Sequence, residues 1–592
     1  MLKKIREMYE ENKEWYKRHP KITKTLKIFI LCAITVNVIL RIFLYYYDLR
    51  RKINESCFSS EIIKVNMSVD DKVNEFDYIY KVLNINMPSI TLFKEKFGID
   101  FNENSEKYRS LISETKDDFD YYCTLKGIFS DIPSAHTDLL YPNYKNYTIL
   151  YGYNYDKFLA TWNLKNYTDY WYNLIDEKCK ECYTDKYFIF NYYSGDGKYF
   201  FNSSMGIANY TDEYENSCLT SIDGVPVDQY IKQNIMYSDI CYDNINDKVY
   251  RTQIMFNSVS EYGRKVTVSI CLADGSSVER ELYMSCADDL IIYHGCIFDE
   301  RYAKNATEAE ELVDNGVPYY FYEDTENNLT YAWISSVDYG FGKKIRDEIS
   351  SVKTDNIILD LRDNGGGTAY YFYEYLYTPL FNNDFKYENN FFIAETMLNN
   401  NNIYKINLVY DIYRAINFPR KYYTGQPLDG IPSDCKVVVE SNNFKCIGGK
   451  NSDKRVYLLI GKNTASAADG FAAIIKQGTD TVLVGENTAG EGMGGSYVLI
   501  ALPESKLAFT YNPALAFNPD GTNNSVYGTS PNFYVPDCTL ENFVLRNKMI
   551  SDYGTAYAYA YEHRVLWDNQ LEFTVNMIKE DESDKGNNSL NK

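Results

Sequence analysis

A chain of 592 residues is longer than one hydrophobic core serves, and at roughly 100–200 residues per domain it reads as three or four units. Hydrophobic residues make up 45% and charged residues 24%, the balance of a globular rather than a disordered protein. The net charge of −21 and a pI near 4.8, with no long basic stretch beyond the N-terminus, leave no basic face for nucleic acid.

Residues 1–27 are strongly basic, with Lys3, Lys4, Arg6, Lys13, Lys17, Arg18, Lys21, Lys24 and Lys27. The apolar run 28–47 (Ile28 to Tyr47) follows, interrupted by Arg41. Its 20 residues match the roughly 20 that a helix needs to cross a bilayer. The excess of positive charge before it predicts a cytoplasmic N-terminus and a single-pass anchor with the rest of the chain extracytoplasmic. No Ala-x-Ala-like site follows the run, so a cleaved signal is not expected. The bland alternative is a buried helix of a soluble domain.

The chain has 13 cysteines, of which only Cys32 lies in the apolar run. The remaining twelve are compatible with disulfides in an oxidising compartment, although their pairing is not readable. Cys179 and Cys182 have the spacing of half a zinc site. No second Cys-x-x-Cys or suitably spaced histidine completes it, and no metal is expected.

Residues 60–180 carry amphipathic patches, Val73–Leu83 and Tyr108–Phe119, and read as a helical region. Within it lies Pro133-Ser134-Ala135-His136-Thr137-Asp138. Residues 187–287 change to short alternating runs between turns, a strand pattern, including Leu219–Val227 and Lys265–Ile270. Residues 317–540 alternate strands (Ala332–Ile334, Asn356–Leu361, Val456–Ile460, Thr481–Gly485) with helices (Phe341–Val352, Ser466–Lys476). That alternation predicts an α/β core with a mostly parallel sheet. The stretch from Asn382 to Asp453 has no strong pattern and reads as an insertion. Residues 541–592 form a C-terminal extension, expected to be disordered after about Glu580.

Two segments carry candidate chemistry. The strand Asn356–Leu361 runs into Arg362-Asp363-Asn364-Gly365-Gly366-Gly367, where bare backbone admits the close approach of a carbonyl oxygen. The strand ending at Ile460 runs through Gly461-Lys462-Asn463-Thr464-Ala465 to Ser466 at a helix start. Such a serine is either an N-cap or a nucleophile set beside the positive end of a helix.

Together these segments are more specific. Asn356–Gly367 resembles the strand and Asp-Leu-Arg-x-Asn-Gly-Gly-Gly signature of the tail-specific (C-terminal-processing) and tricorn-like serine peptidases. Asn463–Asp469 resembles their Ala-Ser-Ala nucleophile turn, with Asp469 in place of glutamate, and Val482–Gly492 resembles the strand and loop that follow. Leu219–Val227 resembles a segment of the PDZ-like domain that precedes this core. The resemblance implies a crotonase/tail-specific-protease-like α/β core and a PDZ-like β-rich domain at 187–287. It implies Ser466 as nucleophile, an oxyanion hole at Gly366 and Ala467, a polypeptide substrate and no cofactor.

In one arrangement of the family a lysine 25 residues after the serine is the base. Here that residue is Glu491. Lys476, only ten residues on, lies along the expected helix, too far to serve. The tricorn-like arrangement uses a histidine before the PDZ-like domain, and Ser134-Ala135-His136-Thr137 fits it, which makes His136 the candidate base. The tetrad's remaining members are a serine beside the histidine and a late glutamate. No glutamate occurs in Asp520–Pro531, so Ser134, Glu491, Asp520 and Ser525 are the candidate supporting residues. These departures leave a catalytically inactive peptide- or ligand-binding protein on the same scaffold as the alternative.

Overall fold

The computed structural model describes residues 63–142, 170–178, 187–201, 211–258, 264–285, 318–337, 339–394, 421–422, 437–449, 454–494 and 497–590. The expected anchor at 28–47 lies outside the described residues. Among those described, no helix is long and apolar enough to cross a membrane.

Helix α1 (Val69–Asn86) starts at a reciprocal cap, with Ser68 Oγ accepting the Asp71 N–H and the Asp71 carboxylate accepting the Ser68 N–H. It buries Val73, Phe76, Ile79, Val82 and Leu83. The amphipathic patch Tyr108–Phe119 does not form one helix. Helix α2 (Ser105–Ser113) stops, and Asp117 caps a new helix, α3 (Asp118–Phe129), by accepting the Asp120 N–H. An aspartate that bonds the backbone ahead of it favours a start over a continuation. After α3, the two-residue strand β1 (Asp138–Leu139) pairs with β20 (Ala508–Tyr511), Leu139 opposite Phe509. Lys126 Nζ reinforces this by donating to both oxygens of Asp138 (2.7 and 2.8 Å). The segment around His136 is thereby fastened to the α/β core.

Strands β2 (Tyr187–Tyr193), β3 (Lys198–Phe201), β4 (Cys218–Ile222), β5 (Val225–Pro226), β8 (Gln253–Asn257), β9 (Lys265–Cys271) and β10 (Ser277–Met284) form one sheet in the order β3-β2-β8-β10-β9-β4-β5. A further pairing of β3 with β4 closes it into a barrel. Its interior holds Phe188, Phe190, Phe201, Leu219, Val268 and Ile270. The hairpin β6 (Ile240–Asp243) and β7 (Lys248–Arg251) stands apart as a two-stranded sheet.

The core sheet has the order β11 (Tyr319–Asp324), β12 (Leu329–Ile334), β13 (Asn356–Asp360), β17 (Arg455–Ile460), β18 (Val482–Gly485), β22 (Phe533–Tyr534). All pairings are parallel except β11 with β12. Every residue of β13 is buried, because helices cover both faces. Ile357 and Leu359 face α4 (Tyr339–Ser351) and α5 (Ala467–Gly478). Ile358 faces Leu571, Val575 and Ile578 of α7 (Asn569–Leu590), which follows α6 (Leu540–Tyr553).

Two expectations about order need correction. The tail after Glu580 is not disordered, because α7 continues to Leu590. Its polar end consists of residues tolerated on an exposed helix, and the anchored first turns remove the cost of nucleation. The apparent insertion after Asn382 holds a ten-residue hairpin, β14 (Phe385–Ala394) with β16 (Val437–Cys446), joined by β15 (Lys421–Tyr422) and β21 (Ala514–Ala516). Its long connection hid the pairing from local pattern. The remaining strand, β19 (Val498–Ala501), pairs with β20.

The Asp-Leu-Arg sequence ends β13 in a buried ionic knot. Arg362 Nη1 and Nη2 each donate to Asp568 (2.7 Å), Nε donates to Asp360 Oδ1 (2.9 Å) and Nη2 to Asp360 Oδ2 (2.6 Å). Tyr331 Oη donates to Asp360 (2.7 Å) and Arg564 Nε to Asp568 (2.9 Å). Burial by itself would raise both carboxyls, but the two guanidinium groups hold them below the usual range. Asp568→Ala is therefore expected to cost about 3–5 kcal/mol in urea unfolding at pH 7, since it strands a buried guanidinium. Because both carboxyls are depressed in the fold, their contribution is complete above the unfolded carboxyl range and fades on acidification. The gap between wild type and variant should narrow as pH falls through that range.

Candidate active site

Ser466 occupies the residue before α5, yet it is not an ordinary cap. Its backbone has φ 52° and ψ −126°, and its side chain makes no capping hydrogen bond. An N-cap serine has extended backbone and bonds the first turn. This conformation costs on the order of 1–3 kcal/mol and persists only where the surroundings impose it. They do so through backbone contacts. The Ser466 N–H donates to Gly490 O (2.9 Å), and its C=O accepts the Gly470 N–H (2.9 Å). Thr464 Oγ1 accepts the Gly461 N–H (3.1 Å) and donates to Leu361 O (2.8 Å), tying the turn to the end of β13.

The glycine run lies against this turn. A Cβ at Gly366 (φ +101°) would stand 2.7 Å from Ser466 Cβ and 2.8 Å from Ala467 N. The expectation for its N–H needs correction, because that group donates to Asn364 Oδ1 (2.9 Å). An asparagine readily bonds the backbone two residues on, so the group is turned into its own loop. The Ala467 N–H, at the first position of α5, is the donor next to the serine.

The second wall is the loop after β18. Residues 490 and 491 both have positive φ (82° and 67°). A Cβ at Gly492 would fall 2.2 Å from Ser466 O and 2.0 Å from Gly470 N, so only glycine fits there. Asp469 fastens this loop from α5. Its carboxylate accepts from Thr488 Oγ1 (2.5 Å), the Gly492 N–H (2.9 Å), Asn524 Nδ2 (2.7 Å) and Thr529 Oγ1 (2.6 Å). Complete burial pushes the Asp469 carboxyl up, and these four bonds oppose the shift.

Glu491, between two glycines that abut the Ser466 turn, points the other way. It is fully buried, accepts from Ser134 Oγ on Oε1 (2.7 Å), and sets Oε2 3.2 Å from His136 Nδ1. Ser134 Oγ also lies 2.7 Å from Thr137 Oγ1. The His136 side chain is 10% exposed, with its ring against Tyr497 (5.8 Å). The structure thus gathers Ser466, Ala467, Gly366, Glu491, Ser134 and His136 around one loop.

Two candidates fall elsewhere. Asp520 caps its own exposed turn through Thr522 (2.9 and 2.6 Å). Ser525 Oγ accepts the Ala516 N–H (3.1 Å) away from the histidine. Lys476 is engaged with Ser530 at the far end of α5 (2.8 and 2.9 Å). Sequence reasoning missed the clamp made by Asp469. Its only local sign was a carboxylate in the first turn of an otherwise apolar helix.

Residues 329–535 match peptidase family S41. The α/β core is thus similar to that of this family of serine peptidases. The chain is also similar to solved structures of low identity. Mature CPAF is 12% identical, with 87% of this chain and 98% of that one covered at a TM-score of 0.46. The photosystem II D1 C-terminal processing protease is 13% identical (84% and 98% covered, TM-score 0.31), and the tricorn protease is 13% identical (87% and 37%, TM-score 0.29). No curated protein sequence matches the chain.

Within this core the glycine contacts yield a direct test. Gly492→Ala must displace the Ser466 turn, and it is expected to lower stability by about 1–3 kcal/mol in urea unfolding, as overpacked interiors do.

Proposed function

We propose that the protein is a membrane-anchored serine endopeptidase in which Ser466 is nucleophile, His136 is general base and Glu491 orients the imidazole. The observation that carries this reading is the position of Glu491. Its neighbours Gly490 and Gly492 press on the backbone of Ser466 while its own carboxylate reaches His136 Nδ1. With Nδ1 turned to Glu491, Nε2 is the nitrogen left to take the Ser466 proton.

Ser466 then attacks a peptide carbonyl. The Ala467 N–H and the positive end of α5 stabilise the oxyanion. His136 returns its proton to the leaving amine, and water releases the acyl group. Glu491 stands 25 residues after the serine, where Ser-Lys relatives carry their basic lysine. In this chain that position supplies the glutamate that Asp520–Pro531 lacks.

The substrates are exported or envelope polypeptides, consistent with an anchor at 28–47 and an extracytoplasmic core. The barrel at 187–285 serves as a PDZ-like module that captures an extended chain by strand addition.

The test is cleavage of an unstructured protein by the full chain in detergent. Ser466→Ala and His136→Ala are each expected to reduce kcat/KM by ~10³-fold or more. If wild type cleaves nothing across substrates and pH values, the scaffold is a peptide binder. Glu491→Gln removes only the orienting charge. It is expected to lower kcat by ~10²- to 10⁴-fold with KM little changed, because the interaction matters most once the imidazolium forms.

A further inference from the structure

Cysteines in the barrel mark a covalent site that the peptidase reading does not use. Cys218 opens β4 and Cys271 closes β9, and the antiparallel register places them directly opposite each other. Directly opposed residues in such a ladder have Cα atoms about 4.5–5.5 Å apart, inside the ~4.4–6.8 Å window of a disulfide. Burial alternates along β9, and in β4 a bulge between Leu219 and Ser221 adds one residue to the alternation. Leu219, Ile222, Val268 and Ile270 point inward, so Cys218 and Cys271, both half-buried, share the outer face. On that face side chains from these two strands already touch, since Ser221 Oγ donates to Ser269 Oγ (2.8 Å). The cysteine pair and the serine pair therefore lie across the same two strands on the same outer face, one on each side of the bulge.

We propose that Cys218 and Cys271 are joined by a disulfide that staples the seam of the barrel. Residue 218 is where the closure lies, because it faces Phe200 of β3 on one side and Cys271 of β9 on the other. The β3–β4 pairing is what converts the open sheet into a barrel. A cross-link here holds β4 on β9 and keeps that closing strand in place.

The chain forms disulfides elsewhere. Cys123 is disulfide-bonded, its partner lying outside the described residues. Cys218, Cys241, Cys271, Cys446 and Cys538 are all thiols in the structure, and of these Cys241, Cys446 and Cys538 face no second cysteine across a ladder. Burial pushes Cys241 and Cys446 up to about 11 and Cys538 up to about 12, as befits inert interior thiols.

The step is thiol–disulfide exchange with an external disulfide, such as oxidised glutathione or an oxidised dithiol carrier. One cysteine thiolate attacks that disulfide and displaces a thiol. The second then attacks the mixed disulfide, giving the protein S–S bond and a second released thiol. Two S–H bonds are lost from the protein, and the two electrons leave with the reduced carrier.

The test uses the full chain in detergent, equilibrated in a reduced/oxidised glutathione buffer, alkylated, and digested without reduction. Mass spectrometry is expected to find the peptides carrying Cys218 and Cys271 linked, and separated on reduction. Alkylation of both thiols overturns the proposal, as does a link from Cys218 to Cys538, which shares a small apolar cluster with it. The Cys218→Ser/Cys271→Ser double variant retains the Cys123 disulfide. It is expected to melt roughly 5–10 °C below wild type, given the long loop the bond closes. An unchanged melting temperature overturns the stapling role. Neither readout depends on peptidase activity, so a failed cleavage assay leaves this result intact.

Discussion

The strained backbone of Ser466 is the constraint on which the site depends. A residue other than glycine at φ 52° and ψ −126° relaxes unless it is held from several sides. Here the holders are backbone groups rather than side chains: the Gly490 carbonyl, the Gly470 amide, and glycine surfaces at 366 and 492 that approach closer than any Cβ allows. The hydroxyl is left uncommitted to the helix, and the first amide of α5 stands beside it. The helix start is thus left without the side-chain cap that a serine there ordinarily makes.

The same packing explains how distant segments meet. Asp469 holds the loop at Thr488 and Gly492, and that loop presents Glu491 with its carboxylate buried. A buried carboxylate needs partners, and a segment more than 350 residues earlier approaches it: Ser134 Oγ donates to one oxygen, and His136 Nδ1 stands 3.2 Å from the other without a well-aligned hydrogen bond. That segment arrives because β1 adds to β20, a two-residue pairing backed by the buried side chains of α3. The same contact that bonds Glu491 to Ser134 brings the histidine beside it.

Much of the core was legible along the chain. The strands at 356–360, 455–460 and 482–485 are apolar runs buried on both faces, and the helix after Ser466 follows from its alanine-rich apolar face. What escaped was non-local. Asp117 broke an amphipathic stretch that periodicity alone reads as continuous. The β14–β16 hairpin spans a long connection, and the polar end of α7 looks disordered until its first turns are seen packed on the sheet. Four residues were candidates to support the histidine, Ser134, Glu491, Asp520 and Ser525, and local sequence could not choose among them; the fold sets Ser134 and Glu491 beside it while Asp520 serves its own turn.

By itself the sequence determined the kind of core, the strand-to-helix turn at Ser466, the glycine run and the histidine segment, because short-range spacing and local backbone demands write those features into contiguous residues. Only the tertiary structure decided which carboxylate faces His136, that the Gly366 amide is occupied by Asn364, and that Asp469 clamps the loop. Each depends on the direction of a side chain across a fold in which residues 134, 364, 469 and 491 become neighbours, and no local pattern encodes that direction.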